Sequence, residues 1–568
     1  MKPEPPSPKA LLEEARAGGV WAGLAARRAA LLAERSDPAL AREALALAAR
    51  LEPLDPAPRL DLARLHAQNG DIDAARAEAE AVLKDSVDKA ARARAAFMLG
   101  EIARIAGPHA AARGHYETVL AIEQALLNAD RADPAAARWY ARARGRTAEL
   151  DAQEGRLAQA RTGAEGALAM LRAVAAQIGE TPLLAADIAD AEMRLGALEL
   201  DTGDAPNARR RLGEAIARYE ALAVTEKDEP HWRAVLSDAW ALAAEADYAR
   251  GAAEDARAAM DRSLQARLKL AADHAEEAWA LAGTWRLHAA LFAALGDAET
   301  AAASLTQARA LAERLHRATG GDAQARFLVH TLLDQADHAL RAQDLSLARD
   351  AADAARSLAE SAAREQGSGA HWFGEAGACW DRLGELARAA RSIAKAQDAF
   401  ARAVEFRRLA HDATPGGARA KRGLAAALVK LGDCALEAGA PHTAQAAFSE
   451  SSSIRARMTE AAPNDAHAAQ ALAVALERLG LAAKASGEIG AAHDAWEEEL
   501  ALAGRIYGDD DNLDGMRFRA IVESHLAGLA SPDADAHRQN ALARFDVLAR
   551  AGVLSEREAA LRKKLWGG

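Results

Sequence analysis

Cysteine is almost missing from this 568-residue chain. Cys379 and Cys434 stand alone, in no CxxC or other metal-ligand spacing, which excludes a disulfide framework and a thiolate zinc site and fits a reducing, cytoplasmic setting. Aromatic residues are also scarce, at 4% against 51% apolar in all. Much of that apolar fraction is alanine, which excludes a large core of bulky side chains and points to many helices packed through small ones. No uncharged apolar run reaches the roughly 18 residues that a bilayer-crossing helix needs. Positive charge is short as well: 71 Lys and Arg face 83 Asp and Glu, a net −12 that repels phosphate backbones and anionic lipid. Neither nucleic acid nor membrane is therefore an expected partner.

Catalytic signatures are missing too. There is no HExxH, no Walker A glycine loop, no GxSxG elbow and no dinucleotide fingerprint. The sixteen histidines are scattered without metal spacing, so no metal and no cofactor is expected. The acidic run YGDDDNLDG (507–515) invites a calcium reading through Asp509, Asp510, Asp511 and Asp514. It fails the EF-hand template, because Asp514 takes the glycine position and Ala520 the closing glutamate. At the N-terminus MKPEPPSPKA, with four prolines and no apolar h-region, reads as a disordered tail over residues 1–9 and not as a signal peptide.

What the chain has is a repeat. RLGELARAARSIAKAQDAF, KLGDCALEAGAPHTAQAAF and RLGLAAKASGEIGAAHDAW follow one another at intervals of 48 residues. Aligned on the turn inside each unit, Ser36, Gly70, Gly107, Gly155, Gly203, Gly251, Gly296, Gln343, Arg391, Gly439 and Gly487 fall in one column, spaced by 34, 37 and then 45 to 48 residues. Five residues later comes alanine in eleven units of eleven, from Ala41 to Ala492. Seven residues before the turn the side chain is always Ala or Gly, from Ala29 to Gly480, and two such small columns let paired helices approach closely. Nine residues beyond it a bulkier column carries Tyr116, Leu212, Met260, Leu305, Phe400, Phe448 and Trp496, with Ala164 and Ala352 as exceptions. Apolar residues recur at three and four, as in Leu472, Leu476, Leu479 and Ala483, so each unit is expected to be two antiparallel helices. Pro134, Pro182, Pro230, Pro415 and Pro463, with Gly320, Gly321, Gly367 and Gly369, punctuate the junctions.

The pattern resembles the tetratricopeptide repeat (TPR). It is clearest in WDRLGELARAARSIAKAQDAFARA (380–403), where Trp380, Leu383, Gly384, Ala396, Phe400 and Ala403 match the family consensus in type and spacing. The period departs from the family's usual ~34 residues, and long-period arrays of this kind are similar to those of bacterial multidomain proteins. Fourteen extra residues give each helix room for about 20 residues, or about 30 Å. The expected fold is all-α, an α-solenoid of eleven to twelve helix pairs over residues 10–515, with a degenerate pair carrying Ala541 and Phe545 and a capping helix in 516–568. That last helix should start at Ser555, with Glu558 completing a capping box.

The resemblance implies a non-catalytic scaffold or adaptor that holds a protein or peptide in a groove lined by the first helix of each unit, in the service of a separately encoded effector. Two residues before the small column stand Arg194, Leu242, Leu287, Asp334, Arg382, Lys430 and Arg478. The last three stack a basic residue at one height, with Arg388 and Lys484 six positions further along the helices, and such a ladder would suit an acidic segment. The opposing expectation is that Asp381, Glu385, Asp433 and Glu477 neutralise these bases within their own helices. Asparagine, which the family's carboxylate clamp needs just after the small column, is replaced by Glu385, Asp433 and Leu481. The recurring His-Trp pairs at 231 and 371 are read as packing between long helices. An enzyme subunit with an unrecognised site and an RNA-binding array are the alternatives.

Overall fold

The computed structural model describes residues 6–34, 36–106, 109–226, 229–365, 369–414, 416–462, 465–508 and 512–566. Gly107, Gly367, Pro415, Pro463 and Asp509–Asp511, all singled out above, lie outside the described residues. The chain forms two compact units, Met1–Glu277 and Ala278–Gly568, a division that falls inside the run of repeats.

In the first unit the helices are α1 (Pro8–Ala17), α2 (Ala22–Ala33), α3 (Pro38–Leu51), α4 (Ala57–Gln68), α5 (Ile72–Asp85), α6 (Lys89–Ala106), α7 (His109–Ala129), α8 (Pro134–Gln153), α9 (Leu157–Ile178), α10 (Pro182–Asp201), α11 (Ala205–Thr225), α12 (Pro230–Ala249) and α13 (Ala253–Asp273). In the second they are α14 (Ala278–Ala294), α15 (Ala298–Thr319), α16 (Asp322–Arg341), α17 (Leu345–Arg364), α18 (His371–Ala389), α19 (Ile393–Ala413), α20 (Ala418–Glu437), α21 (Pro441–Ala461), α22 (Ala466–Ala485), α23 (Ile489–Ala501), α24 (Ala503–Tyr507), α25 (Leu513–Leu526), α26 (Ala534–Arg550) and α27 (Glu556–Trp566). Within each unit every helix packs on its neighbours in sequence, and from α4 to α12 in the first and from α16 to α22 in the second the first helix of one pair also meets the first helix of the next. Among the described residues the fold is all-α, each unit an α-solenoid of antiparallel hairpins, α2/α3 to α12/α13 in the first and α14/α15 to α25/α26 in the second. No helix there is long and apolar enough to cross a membrane.

Local chemistry sets the helix ends. Pro134 and Pro182 occupy the first turns of α8 and α10, while the side chains of Asp133 and Thr181 accept from the free amides behind them. At α27 the capping box forms as the sequence predicts: Ser555 N donates to Glu558 Oε2 at 2.8 Å and Glu558 N to Ser555 Oγ at 3.3 Å. One boundary is corrected. The tail expected over residues 1–9 ends sooner, because Ser7 Oγ accepts from Ala10 N at 3.2 Å and draws Pro8 and Lys9 into α1.

The two small columns do what their size demands. All eleven alanines from Ala41 to Ala492 are 0% exposed. Where the other small column carries glycine, it packs on the residue sixteen positions later. Glycine stands opposite the aromatics Tyr116, Phe400, Phe448 and Trp496, and opposite Leu212. A methyl group at Gly384 would sit 2.5 Å from Phe400 Cε1, and one at Gly432 would sit 2.6 Å from Phe448 Cε1. Where the small residue is alanine, the residue sixteen positions later is never aromatic, as in Ala148/Ala164, Ala336/Ala352, Ala244/Met260 and Ala289/Leu305. An aromatic side chain in the bulkier column is thus accommodated only where the facing small residue is glycine.

Candidate partner-binding face

The five bases of the predicted ladder are all engaged. Arg382 Nη2 donates to Asp337 Oδ2 at 2.8 Å, and its other terminal nitrogen pairs with Glu385. Lys430 Nζ reaches Glu385 Oε1 at 2.6 Å, and Arg478 Nε lies 3.4 Å from Asp433 Oδ1. Arg388 pairs with Glu437. Lys484 Nζ donates to Gly528 O at 2.9 Å and lies 5.8 Å from the centre of the Trp496 ring. The ladder's bases thus stand beside carboxylates or a carbonyl that take up their charge and donors. Glu385 and Asp433 do the neutralising, as anticipated, but mainly across units and not only within a helix. Asp381 turns away to Arg407 Nη2 at 2.8 Å.

The pairing has a rule. The base two residues before the small position of one first helix meets the acid one residue after the small position of the preceding first helix, a separation of 45 residues in a 48-residue period. The first unit repeats it: Arg146 Nη2 meets Glu101 Oε2 at 2.8 Å, and Arg194 Nε lies 3.8 Å from Glu149 Oε2. Burial by itself would raise the Glu101 carboxyl, but the Arg146 guanidinium, the Tyr116 hydroxyl at 2.5 Å and Arg104 hold it below the usual carboxylate range. Burial raises Asp337 and Asp433 against the pull of Arg382 and Arg478. Bases and acids thus form struts between hairpins along the face of the first helices.

In the second unit the first possible strut is missing. Between α14 and α16 the acid position is Ala290 and the base position is Asp334, so no pair forms there. Asp334 Oδ2 instead accepts from Arg286 Nε at 2.7 Å. The space left is a cleft of 450 Å³ walled by Arg286, Leu287, Ala290, Ala293, Asp334 and Arg341, with the buried Leu305 of α15 also lining it. Leu287 occupies a ladder position and is 53% exposed, so an apolar side chain faces open space where the later members of its column, Asp334, Arg382, Lys430 and Arg478, carry charge. The sequence lists Leu287 in its column without singling it out, and the signal that finds it is the break in sign there.

The His-Trp pairs settle helix starts. Trp372 is buried, with Nε1 donating to Asp322 Oδ1 at 2.5 Å, and Trp232 Nε1 donates to Glu226 Oε2 at 2.8 Å. Both cysteines are buried and unbridged, and burial pushes the Cys379 thiol up to about 12. Two of the scattered histidines, His493 and His537, do come together.

No protein-family model and no curated protein matches this chain. Solved helical-repeat structures do. Yeast Tom70 is 13% identical over 89% of this chain and 95% of its own, with a TM-score of 0.40. The apo form of RapI is 11% identical over 71% of this chain and 98% of its own, with a TM-score of 0.42. Human IFIT1, as a dimer with m7Gppp-AAAA, is 13% identical over 87% and 94%, with a TM-score of 0.37. The fold of this chain rests on the packing described above.

Proposed function

We propose that the chain is a non-catalytic interaction scaffold whose second unit holds a polypeptide partner against the first-helix face, with one apolar side chain of that partner seated in the α14/α16 cleft. The observation that carries the reading is Leu287, exposed beside the α14/α16 rung, where, among the described first-helix rungs from α14 to α22 in the second unit, both strut residues are replaced. An apolar anchor entering a preformed recess is the contact that contributes most affinity per residue in such interfaces, and the rigid helices lower the ordering cost on this side. The charged groups around the recess, Arg286 with Asp334 and Asp337 with Arg382, are already paired with one another. That favours recognition by shape over recognition of net charge. The same pairing, with the net charge of −12, argues against an RNA ligand on this face.

A photo-crosslinking residue placed at Leu287, with one at the 96% exposed Val87 as control, tests the reading in the native cell. A protein adduct formed from position 287 and absent from position 87, whose affinity for the purified chain drops at least about tenfold in Leu287→Arg, is the expected result. Adducts of equal yield at both positions, or an affinity that Leu287→Arg leaves intact, overturn it.

A further inference from the structure

Near the C-terminal end of the second unit, four side chains from two helices converge. His493 and Glu497 stand one turn apart on α23, and Asp533 and His537 one turn apart at the start of α26, so each pair shares a helix face. His493 Nε2 lies 2.9 Å from Asp533 Oδ2, His537 Nε2 lies 3.1 Å from Glu497 Oε1, and the same His537 nitrogen lies 3.5 Å from Asp533 Oδ2. All four ligand atoms fall within 4.8 Å of one another. None of these residues belongs to the small columns or to the strut ladder.

We infer that His493, Glu497, Asp533 and His537 form a binding site for one divalent transition-metal ion of the zinc class. The set is two imidazole nitrogens and two carboxylate oxygens. Calcium and magnesium favour oxygen ligands alone, whereas zinc, cobalt and nickel accept this mixture. Ligands about 2.0–2.1 Å from a tetrahedral ion stand about 3.3 Å from one another. The nearest separations here, 2.9, 3.1 and 3.5 Å, bracket that value, so the ion would enter with small rotations of the side chains. The two carboxylates carry charge −2, which a dication matches. His537 is largely buried, with 12% of its side chain exposed, while Glu497 and Asp533 are 41% and 42% exposed, giving a rigid inner wall and an open entry side. On its far side His493 Nδ1 faces the Asp494 carboxylate at 3.8 Å, the kind of outer partner that orients metal-bound imidazoles. The ion's role would be structural, pinning the start of α26 onto α23.

The test uses the full, untagged chain, stripped with chelator and titrated with zinc alone and with cobalt alone. Expected are one zinc per chain, a cobalt spectrum with the intense visible bands of a four-coordinate ion, and slower hydrogen exchange in α26 once metal is bound. Glu497→Gln, an isosteric change at a half-exposed position, and His537→Ala should each weaken zinc binding at least about tenfold and abolish the four-coordinate spectrum. Absence of stoichiometric zinc uptake by the unaltered chain would show a cluster of histidine–carboxylate ion pairs only and overturn the assignment. Equal uptake by the unaltered chain and by Glu497→Gln, which preserves the fold, would overturn it as well.

Discussion

The short hairpins near the N-terminus and the long ones near the C-terminus solve one packing problem at two lengths. Helices α2 to α5 have 12 or 14 residues, whereas α18 to α21 have 19 to 21. Both regions bury the invariant alanine completely, Ala41 and Ala75 in one, Ala396 and Ala444 in the other. Charge is where they part. In α4 the residue two before the small position is Asp61 and the residue one after it is Arg64, the reverse of the long hairpins, and Arg64 Nη1 reaches back to Glu34 Oε1 at 2.7 Å. The residues at the strut positions can thus change sign, and Arg64 then takes a partner outside the strut register, while the steric contact stays as it is. A hairpin is defined by what its small residues admit, and its charges need only be complementary to the next hairpin.

The heaviest blow to the long hairpins is Phe400→Ala. Phe400 is 0% exposed and lies over Gly384, so its removal leaves a void that glycine cannot fill, costing about 3–5 kcal/mol. Stacked repeats couple only to neighbours, so hydrogen exchange should quicken in α18, α19 and α20 while α2 to α5 stay protected. Leu45→Ala in the short region, where the partner Ala29 already carries a methyl group, should cost less, about 2–3 kcal/mol. Equal losses would dissolve the link between glycine and a large partner.

A smaller effect is expected at the turns. Gly439 and Gly487 take left-handed backbone with φ of 72° and 82°, yet Gln343 and Arg391 hold the same column at 61° and 56°. A side chain there costs about 1–2 kcal/mol, part of which is offset because glycine loses more entropy on folding. Arg391→Gly should therefore stabilise by about 0.5–1 kcal/mol and raise the melting temperature, whereas Gly439→Ala lowers it. No rise in Arg391→Gly would mean that this turn tolerates its geometry through contacts of the arginine.

Much of the architecture was readable from residues because it rests on size. Alanine at eleven matched positions has one physical reading, and the turn column, the capping box at Ser555 and the helix length of about 20 residues follow from local chemistry. The face was half readable. Arg382, Lys430 and Arg478 stood out by position, but Arg382 and Glu385 lie three apart on one helix, so local pairing looked sufficient. The partner 45 residues away appears only when consecutive first helices are laid side by side. The cleft at Leu287 was hidden for another reason: it arises from two residues that fail to pair. The cluster at His493 joins two i,i+4 pairs that lie 40 residues apart from His493 to Asp533, outside the repeat register, so no column displays it.

The smallest effect belongs to the struts, and it separates the two roles that sterics and charge have been given. The Lys430 and Glu385 side chains are 36% and 28% exposed, so solvent screens their attraction, and a double-mutant cycle with Lys430→Met and Glu385→Gln should return a coupling of about 0.2–1 kcal/mol that shrinks in high salt. Glu385→Gln alone should cost more than Lys430→Met alone, because Glu385 also accepts from Arg382. The short-region pair, Arg64 with Glu34, whose side chains are 38% and 34% exposed, should give a coupling of similar size and the same salt dependence, since Coulomb attraction is indifferent to which helix positions carry the charges. A coupling of zero at low salt in both regions would mean that the small side chains alone set how each hairpin lies on the next.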